Sequence, residues 1–180
     1  MALSVEAIID RRWARSLRRF AGGTKVRYWI NGRSRRLGDD TKAEAISSRE
    51  ARFIRSTFAE VDRLTGLRFV EKGSPARMEI DLYRVGIFGE RGCSVRPPAT
   101  PVGLRSRGRT GAATGSPARS ASTITHEIGH TQGLNHPNGK PFPPRYDTGD
   151  TVMSYNRISG GGVGFTSTDI AAQQSLWGVG

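Results

Sequence analysis

Cysteine and long hydrophobic runs are both scarce in this 180-residue chain. No apolar run approaches the roughly 20 residues that span a bilayer, so we expect no transmembrane segment. The N-terminus also lacks the continuous apolar stretch of a secretory signal, so an exported protein would need another route or a leader outside this sequence. The single cysteine, Cys93, excludes an internal disulfide.

Acidic residues are few relative to basic ones. The chain has 16 Asp and Glu against 28 Lys and Arg, a formal net charge of +12, and arginines cluster at residues 11–36 and 96–119. Guanidinium groups bind carboxylates and phosphates, so acidic polypeptides, nucleic acid and anionic surfaces are all candidate partners. Because no nucleic-acid-binding module is recognisable, a solvated basic surface without a dedicated partner is the simplest interpretation.

Length and composition favour one globular domain over residues 1–180. The hydrophobic fraction of 36% is ordinary for a folded protein, and the length suffices for a proper core. Near the N-terminus, apolar residues at helical spacing predict a basic amphipathic helix over residues 5–20, which Gly22 and Gly23 end. Such a helix either lies on a membrane or, as we favour, docks onto its own domain.

A strand, a helix and two further strands are predicted next. Alternation predicts a strand at residues 26–30, and Asn31-Gly32 indicates a turn. Ser47 and Glu50 form a capping box for a helix that Gly66 ends. The core-facing residues of that helix are Ile54, Phe58, Val61 and Leu64.

The strands that follow are predicted at residues 67–71 and 77–83. In the second, apolar Met78, Ile80 and Leu82 alternate with Glu79 and Asp81, which favours one buried face and one wet face. This order of elements indicates an α/β or α+β fold.

Residues 86–119, rich in Gly, Pro, Arg and Ser, predict an irregular segment. In the context of the histidine motif described below, it is expected to hold the upper rim of a substrate cleft. Within it, an edge strand is predicted that would pair with an extended peptide by strand addition, formed by Cys93, Ser94, Val95 and Arg96. We expect Cys93 to be a buried, inert thiol rather than a metal ligand, since the three histidines described next are sufficient candidates for a metal site.

All three histidines of the chain fall in the stretch HEIGHTQGLNH at residues 126–136. On a helix, His126 and His130 lie one turn apart on the same face and can reach one ion. Gly133 can adopt the left-handed conformation that ends helices, so the chain can reverse and bring His136 back as a third ligand. Three imidazoles with one position left for water is the arrangement of catalytic zinc.

The helix that carries these histidines is predicted to have two different faces. Ser120 or Ser122 can cap its N-terminus. Glu127, next to the first ligand, is placed to accept a proton from the water. The face opposite the histidines is apolar and predicted to enter the core, with Ala121, Ile124 and Ile128.

A second group of candidate residues follows the histidines. Met153 is predicted to form an apolar floor beneath the imidazoles without binding the metal. Tyr155, two residues on, can ligate the metal or donate a hydrogen bond to a developing oxyanion. Thr166 and Asp169 indicate the start of a last helix, which ends before Gly178.

These residues resemble the catalytic domain of serralysins, which are metzincin zinc endopeptidases. The similar segments are HEIGHTQGLNHP at 126–137, MSY at 153–155 and DIAAQQSLWG at 169–178. The resemblance implies that His126, His130 and His136 bind one catalytic zinc ion. It also implies an α+β metzincin fold with a twisted, mostly parallel sheet. An α/β-like upper subdomain would span residues 1–133, and a small lower subdomain residues 134–180.

The implied activity is hydrolysis of peptide bonds by metal-activated water. In this resemblance Glu127 is the general base, Met153 the Met-turn residue and Tyr155 the switchable tyrosine. The protein is expected to be monomeric and secreted, with a polypeptide substrate. The Gly-rich calcium-binding repeats of serralysins are not present in this sequence; a structural Ca2+ ion is left open, although no motif indicates one.

Two other interpretations stay open. One is a basic protein that binds nucleic acid or a surface and uses zinc only structurally, although structural sites usually have four protein ligands. The other is a narrow processing protease that recruits acidic substrates through its arginine-rich surface.

Overall fold

The computed structural model describes residues 2–36, 42–75, 78–87, 90–96 and 117–180. They form a mixed α+β fold. Its α-helices are α1 (Arg11–Ala21), α2 (Ser48–Leu64), α3 (Pro117–Thr131) and α4 (Ser167–Trp177). Its strands are β1 (Lys25–Ile30), β2 (Arg35–Arg36), β3 (Lys42–Glu44), β4 (Arg68–Glu71), β5 (Ile80–Ile87) and β6 (Glu90–Arg96). Short 3-10 helices occur at Val5–Ile8 and Pro137–Gly139.

The strands form one sheet in the order β2-β3-β5-β1-β4, and β6 also pairs with β5. Strands β4, β1 and β5 run parallel, whereas the pairs β2–β3, β3–β5 and β5–β6 are antiparallel. The sheet is therefore mixed, and the expectation of a mostly parallel sheet is wrong. Two of the three antiparallel pairs have a local reason, because short connections join β2 to β3 and β5 to β6, and such connections produce antiparallel pairs.

Strand β6 lies at an edge of this sheet. Leu82 of β5 pairs with Ile30 of β1 on one side and with Val95 of β6 on the other. Among the described strands, β6 has no second neighbour. The predicted edge strand at Cys93–Arg96 is thus confirmed, and it begins earlier, at Glu90.

The stretch at residues 86–119 is less irregular than predicted. It contains the end of β5, all of β6 and the first residues of α3. Glycine and arginine residues hid the strand pattern in this stretch. Its secondary structure depends on the pairing of β6 with β5 rather than on composition. The predicted cleft rim falls largely on residues 97–116, which lie outside the described residues, as does the side chain of Cys93.

The N-terminal segment forms two helices instead of the single helix predicted over residues 5–20. Ile9 is extended and bridges to Leu134, and Asp10 caps α1 by accepting a hydrogen bond from the Trp13 N–H at 2.9 Å. Extended pairing and a capping aspartate both exclude a continuous helix there. Helix α1 ends at Gly22, as predicted, with φ at 67°. Its apolar face docks onto the domain, as favoured, through buried Ala14 and Leu17.

Helix α2 begins with the predicted capping box, in which the side chains of Ser47 and Glu50 each bond to the other's backbone N–H. Its predicted stripe enters the core, with Leu64 only half-buried. Glycine is favoured at position 66, just after the helix end, but not because of the predicted left-handed conformation. It is not left-handed, but a Cβ there would lie 2.5 Å from the Trp177 carbonyl oxygen.

The predicted wet face of β5 is wrong at Glu79. This residue is 2% exposed and accepts hydrogen bonds from the backbone N–H of Arg27 at 2.6 Å and from its guanidinium. Glu79 lies just before the first residue of β5, next to Arg27 of β1, and a carboxylate buried there needs a cationic partner. The strand begins at Ile80, later than predicted. The predicted turn at Asn31-Gly32 is also displaced, because buried Asn31 still pairs with Leu82 and the bend falls at Arg33.

The core has two main clusters. The larger lies between the sheet and the helices and includes Phe58, Leu82 and Ile128. The smaller joins the N-terminal segment to the C-terminal part of the chain and includes Ile8, Leu134, Val152, Met153 and Ala172. None of the helices in the described residues combines the length and hydropathy that a membrane span requires.

Candidate metal centre

Helix α3 presents one apolar and one histidine-bearing face. Ile124 and Ile128 are buried in the larger core cluster, as predicted, whereas Ala121 is only half-buried and does not enter it. His126 and His130 lie one turn apart, and their ring centroids are 4.7 Å apart. The helix begins at Pro117, so Ser120 and Ser122 lie inside it and the prediction that one of them caps it is wrong. Proline is favoured in the first helical turn, where its missing N–H costs nothing.

The chain reverses at Gly133, as the sequence predicts. Its φ is +97°, and the helix ends in a Schellman motif: the N–H of Leu134 donates to Gly129 at 3.0 Å, and that of Gly133 to His130 at 3.2 Å. Both the backbone conformation and the space around this position favour glycine. A Cβ at Gly133 would lie 3.0 Å from the Ala14 Cβ.

The extended N-terminal segment holds this reversal from outside. The N–H of Asp10 donates to the Gly133 carbonyl at 2.7 Å, and the N–H of Asn135 donates to the Ile8 carbonyl at 2.8 Å. In addition, the Trp13 indole N–H donates to the Thr131 carbonyl at 3.0 Å. Ile8, Asp10 and Trp13 of the N-terminal segment thus hold the turn that leads to His136.

The three imidazoles converge. One ring nitrogen from each of His126, His130 and His136 lies within 4.8 Å of the other two, a grouping that could hold a metal ion. The His136 ring centroid is 5.1 Å from that of His126 and 4.9 Å from that of His130. The reversal at Gly133 therefore brings the third histidine back beside the first two, as predicted.

Backbone carbonyls orient all three rings. The Nδ1 atoms of His126, His130 and His136 lie 2.8, 2.9 and 2.8 Å from carbonyl oxygens. The carbonyls belong to Val152, Leu134 and Met153, respectively. A carbonyl oxygen only accepts, so each Nδ1 carries the proton and each Nε2 keeps its lone pair. This is the hydrogen-bonding pattern of histidines that ligate metals.

Burial keeps these imidazoles neutral. It lowers the pKa of His126 well below its usual value, with a further contribution from neighbouring His130. Burial, then His136, lowers the pKa of His130 to about 4, and burial also lowers the pKa of His136. Because only the neutral ring offers a lone pair, the site is ready for a cation at neutral pH.

Two buried polar atoms beside the rings have no hydrogen-bond partner within the described residues: Nε2 of His126 and Oε1 of Glu127. Both residues are 4% exposed, and burial raises the pKa of Glu127 to about 8. An unpaired nitrogen lone pair and a neighbouring unpaired carboxyl are costly in a protein interior. A cation at the three Nε2 atoms would bind the lone pair of His126 and stabilise the negative charge of the Glu127 carboxylate. The residues therefore fit a metal.

Residues 151–154 form the opposite wall through their backbone. Met153 is fully buried, and its sulfur occupies the space that a Cβ at Gly129 would need, 2.7 Å away. The Val152 and Met153 carbonyls are the acceptors for two of the histidines.

Asp169 fixes this wall, a role that sequence reasoning missed. It is fully buried and accepts hydrogen bonds from the Val152 N–H at 3.0 Å and from the Thr151 hydroxyl. The same carboxylate completes the capping box of α4 with Thr166, which confirms the predicted helix start. The capping pattern identified the residue, but nothing local indicates its contact with residues 151–152.

Tyr155 stands beside two of the histidines. Its ring centroid is 5.0 Å from that of His126 and 4.9 Å from that of His136. Burial, and then the carboxylate of Glu127, raise the pKa of the phenol to about 12. At neutral pH the phenol is therefore protonated and can donate a hydrogen bond.

The structure thus gathers most of the predicted site residues, namely His126, His130, His136, Glu127, Gly133, Met153 and Tyr155. The predicted substrate-binding residues Cys93, Ser94, Val95 and Arg96 lie on β6, which contacts α3.

No protein-family model matches this chain, and no curated protein matches its sequence. The resemblance to serralysins therefore rests on the motif residues themselves.

Proposed function

We propose that the protein is a zinc-dependent endopeptidase of the metzincin class, similar to the serralysin catalytic domain. One observation carries this proposal. Three imidazoles, one buried and two half-buried, each bring a ring nitrogen within 4.8 Å of the other two while their Nδ1 atoms bond to backbone carbonyls. A buried carboxyl oxygen of Glu127 without a partner in the described residues lies beside them. Three neutral histidines are a donor set of catalytic zinc sites, which keep one position open for water. A neighbouring glutamate is placed to act as the general base.

The roles of the chain's own residues follow from their chemistry. A zinc ion held by the three histidines would polarise the scissile carbonyl and make water more acidic. Glu127, in its carboxylate form, accepts the proton of the attacking water and then delivers it to the departing amine. The protonated phenol of Tyr155 donates a hydrogen bond to the oxygen on which negative charge develops.

The alternative of a binding protein with a structural metal is less well supported. Closed structural sites take four protein ligands. In the part of the chain that the structure describes, the candidate group contains three. The net charge of +12 still favours acidic segments among the polypeptide substrates.

Replacing Glu127 tests the proposal. In Glu127→Ala, zinc content should stay near one ion per chain while kcat for peptide hydrolysis falls at least about 100-fold, because the general base is lost. Digestion of a mixed peptide library with and without a zinc chelator, together with elemental analysis, measures both.

The matched control is Glu60→Ala, which removes a half-buried glutamate of α2 outside the site. It should cleave the library like the wild type. Chelator-insensitive cleavage, or full activity in Glu127→Ala, would contradict the proposed mechanism.

A further inference from the structure

An exposed aromatic ring stands beside the candidate metal centre. Phe142 is 69% exposed, and its ring centroid lies 5.3 Å from that of Tyr155, with the rings edge to face. Tyr155 in turn packs against His126 and His136. The proposed roles of the histidine motif and of the Met153 segment do not explain why this ring is exposed. An exposed phenylalanine does not gain the favourable free energy of burying its apolar surface.

The loop that carries Phe142 is fixed on both sides of the ring. The Tyr155 N–H donates to the Pro141 carbonyl at 2.8 Å, and the Asn156 amide donates to the Pro143 carbonyl at 2.5 Å. Asn156 and Ser154 also donate to the Tyr146 carbonyl, each at 3.0 Å. Prolines at 141, 143 and 144 restrict φ further.

A rigid backbone that exposes an aromatic side chain is suited to binding. Little conformational entropy is lost when a partner covers a ring whose backbone is already ordered. Aromatic residues in such positions contribute a large share of the affinity at binding sites. The ring also lies close enough to His136, through Tyr155, to meet a residue within roughly three positions of the scissile bond in an extended peptide.

We propose that Phe142 forms the wall of an apolar subsite, which selects substrates carrying a large apolar or aromatic side chain near the bond to be cleaved. This inference rests on the proposed peptidase function and names its substrate class. Phe142 is a specificity-determining residue. The side chain of the substrate covers the ring of Phe142 and the neighbouring edge of Tyr155, and both lose contact with water.

Cleavage of a peptide library by three proteins tests the subsite. The library varies one position at a time around the scissile bond, and mass spectrometry identifies the products. The wild type should prefer Phe, Leu or Met over Ala and Asp at one position. In Phe142→Ala this preference should fall about tenfold in kcat/KM, mainly through KM, whereas Phe142→Leu should keep most of it.

The matched control is Phe20→Ala, the same truncation at a partly exposed phenylalanine on α1. It should leave the preference unchanged. Lys140 and Arg145 are exposed in the same loop, so the measurements are made at low and high salt to separate charge from apolar selection. A preference for acidic residues that Phe142→Ala retains would overturn the proposal.

A binding measurement distinguishes failure of the subsite from failure of the peptidase proposal. Zinc-loaded Glu127→Ala is titrated with fluorescent peptides that differ only in one Phe or Ala, with and without Phe142→Ala. Loss of a roughly tenfold preference for the Phe peptide in the double variant supports the subsite, even if the wild type cleaves nothing. Equal affinity for the two peptides before Phe142 is replaced refutes the subsite, even if the wild type is an active peptidase.

Discussion

Single residues at this site act mostly through hydrogen bonds to the backbone. Each histidine is oriented by a carbonyl rather than by a side chain, and the Val152 carbonyl that orients His126 belongs to a residue whose N–H is bound by Asp169. Asp169 is therefore a positioning residue that acts on His126 through Val152. Partners of this kind typically change metal affinity by about 10- to 100-fold when removed.

Replacing Asp169 tests this connection. Asp169→Ala removes the acceptor for Val152, Thr151 and Thr166, so we expect a loss of about 2–4 kcal/mol in the free energy of unfolding and about tenfold weaker zinc binding. Asp169→Asn, which keeps one oxygen for these donors, should retain more of both. Chemical denaturation and competition with a zinc indicator measure the two effects.

Glu50→Ala is the control for Asp169→Ala, since it removes the equivalent carboxylate from the capping box of α2, away from the metal centre. It should lower stability while leaving zinc affinity unchanged. If the two variants weaken zinc binding equally, Asp169 has no positioning role.

At the scale of elements, the reversal after α3 decides whether a third histidine reaches the site. Gly133→Ala combines an unfavourable positive φ with contacts of 3.0 Å to Ala14 and 3.1 Å to Leu176. We expect a loss of about 2–4 kcal/mol in stability, from strain and crowding together. Zinc affinity should also fall, because His136 follows the displaced turn.

Gly139→Ala separates the effect of backbone strain from the effect of crowding. Gly139 also has a positive φ, +72°, but no atom within 4 Å of an added Cβ. Its replacement should cost only about 1–2 kcal/mol, the conformational part. The account of the reversal would be wrong if thermal and zinc titrations gave the same result for both glycine variants.

Local patterns in the sequence predicted much of this arrangement. The spacing of His126, His130 and His136 and the glycine at 133 were sufficient to place three imidazoles together, and capping residues located the starts of α2 and α4. What escaped prediction depends on contacts between distant residues. Glu79 is buried because Arg27 neutralises it, and the helix breaks at Ile9 because Leu134 pairs with it. No local periodicity encodes either contact.

At the scale of the whole molecule, the centre is assembled from distant parts of the chain. The extended N-terminal segment holds the turn at Gly133, α3 supplies two histidines, and α4 fixes residues 151–152 through Asp169. Such a site does not exist in the unfolded chain, so the free energy of metal binding adds to the stability of the fold.

Zinc titration of the metal-free protein, with X-ray absorption at the zinc edge, tests the central claim most directly. We expect one ion per chain, three imidazole nitrogens at about 2.0 Å and an oxygen in the remaining position. The melting temperature should rise with zinc concentration, and His136→Ala should lose most of this increase. A spectrum with a sulfur ligand or with fewer than three imidazole nitrogens, or a wild-type protein that binds no zinc, would contradict a catalytic metal centre at these three histidines.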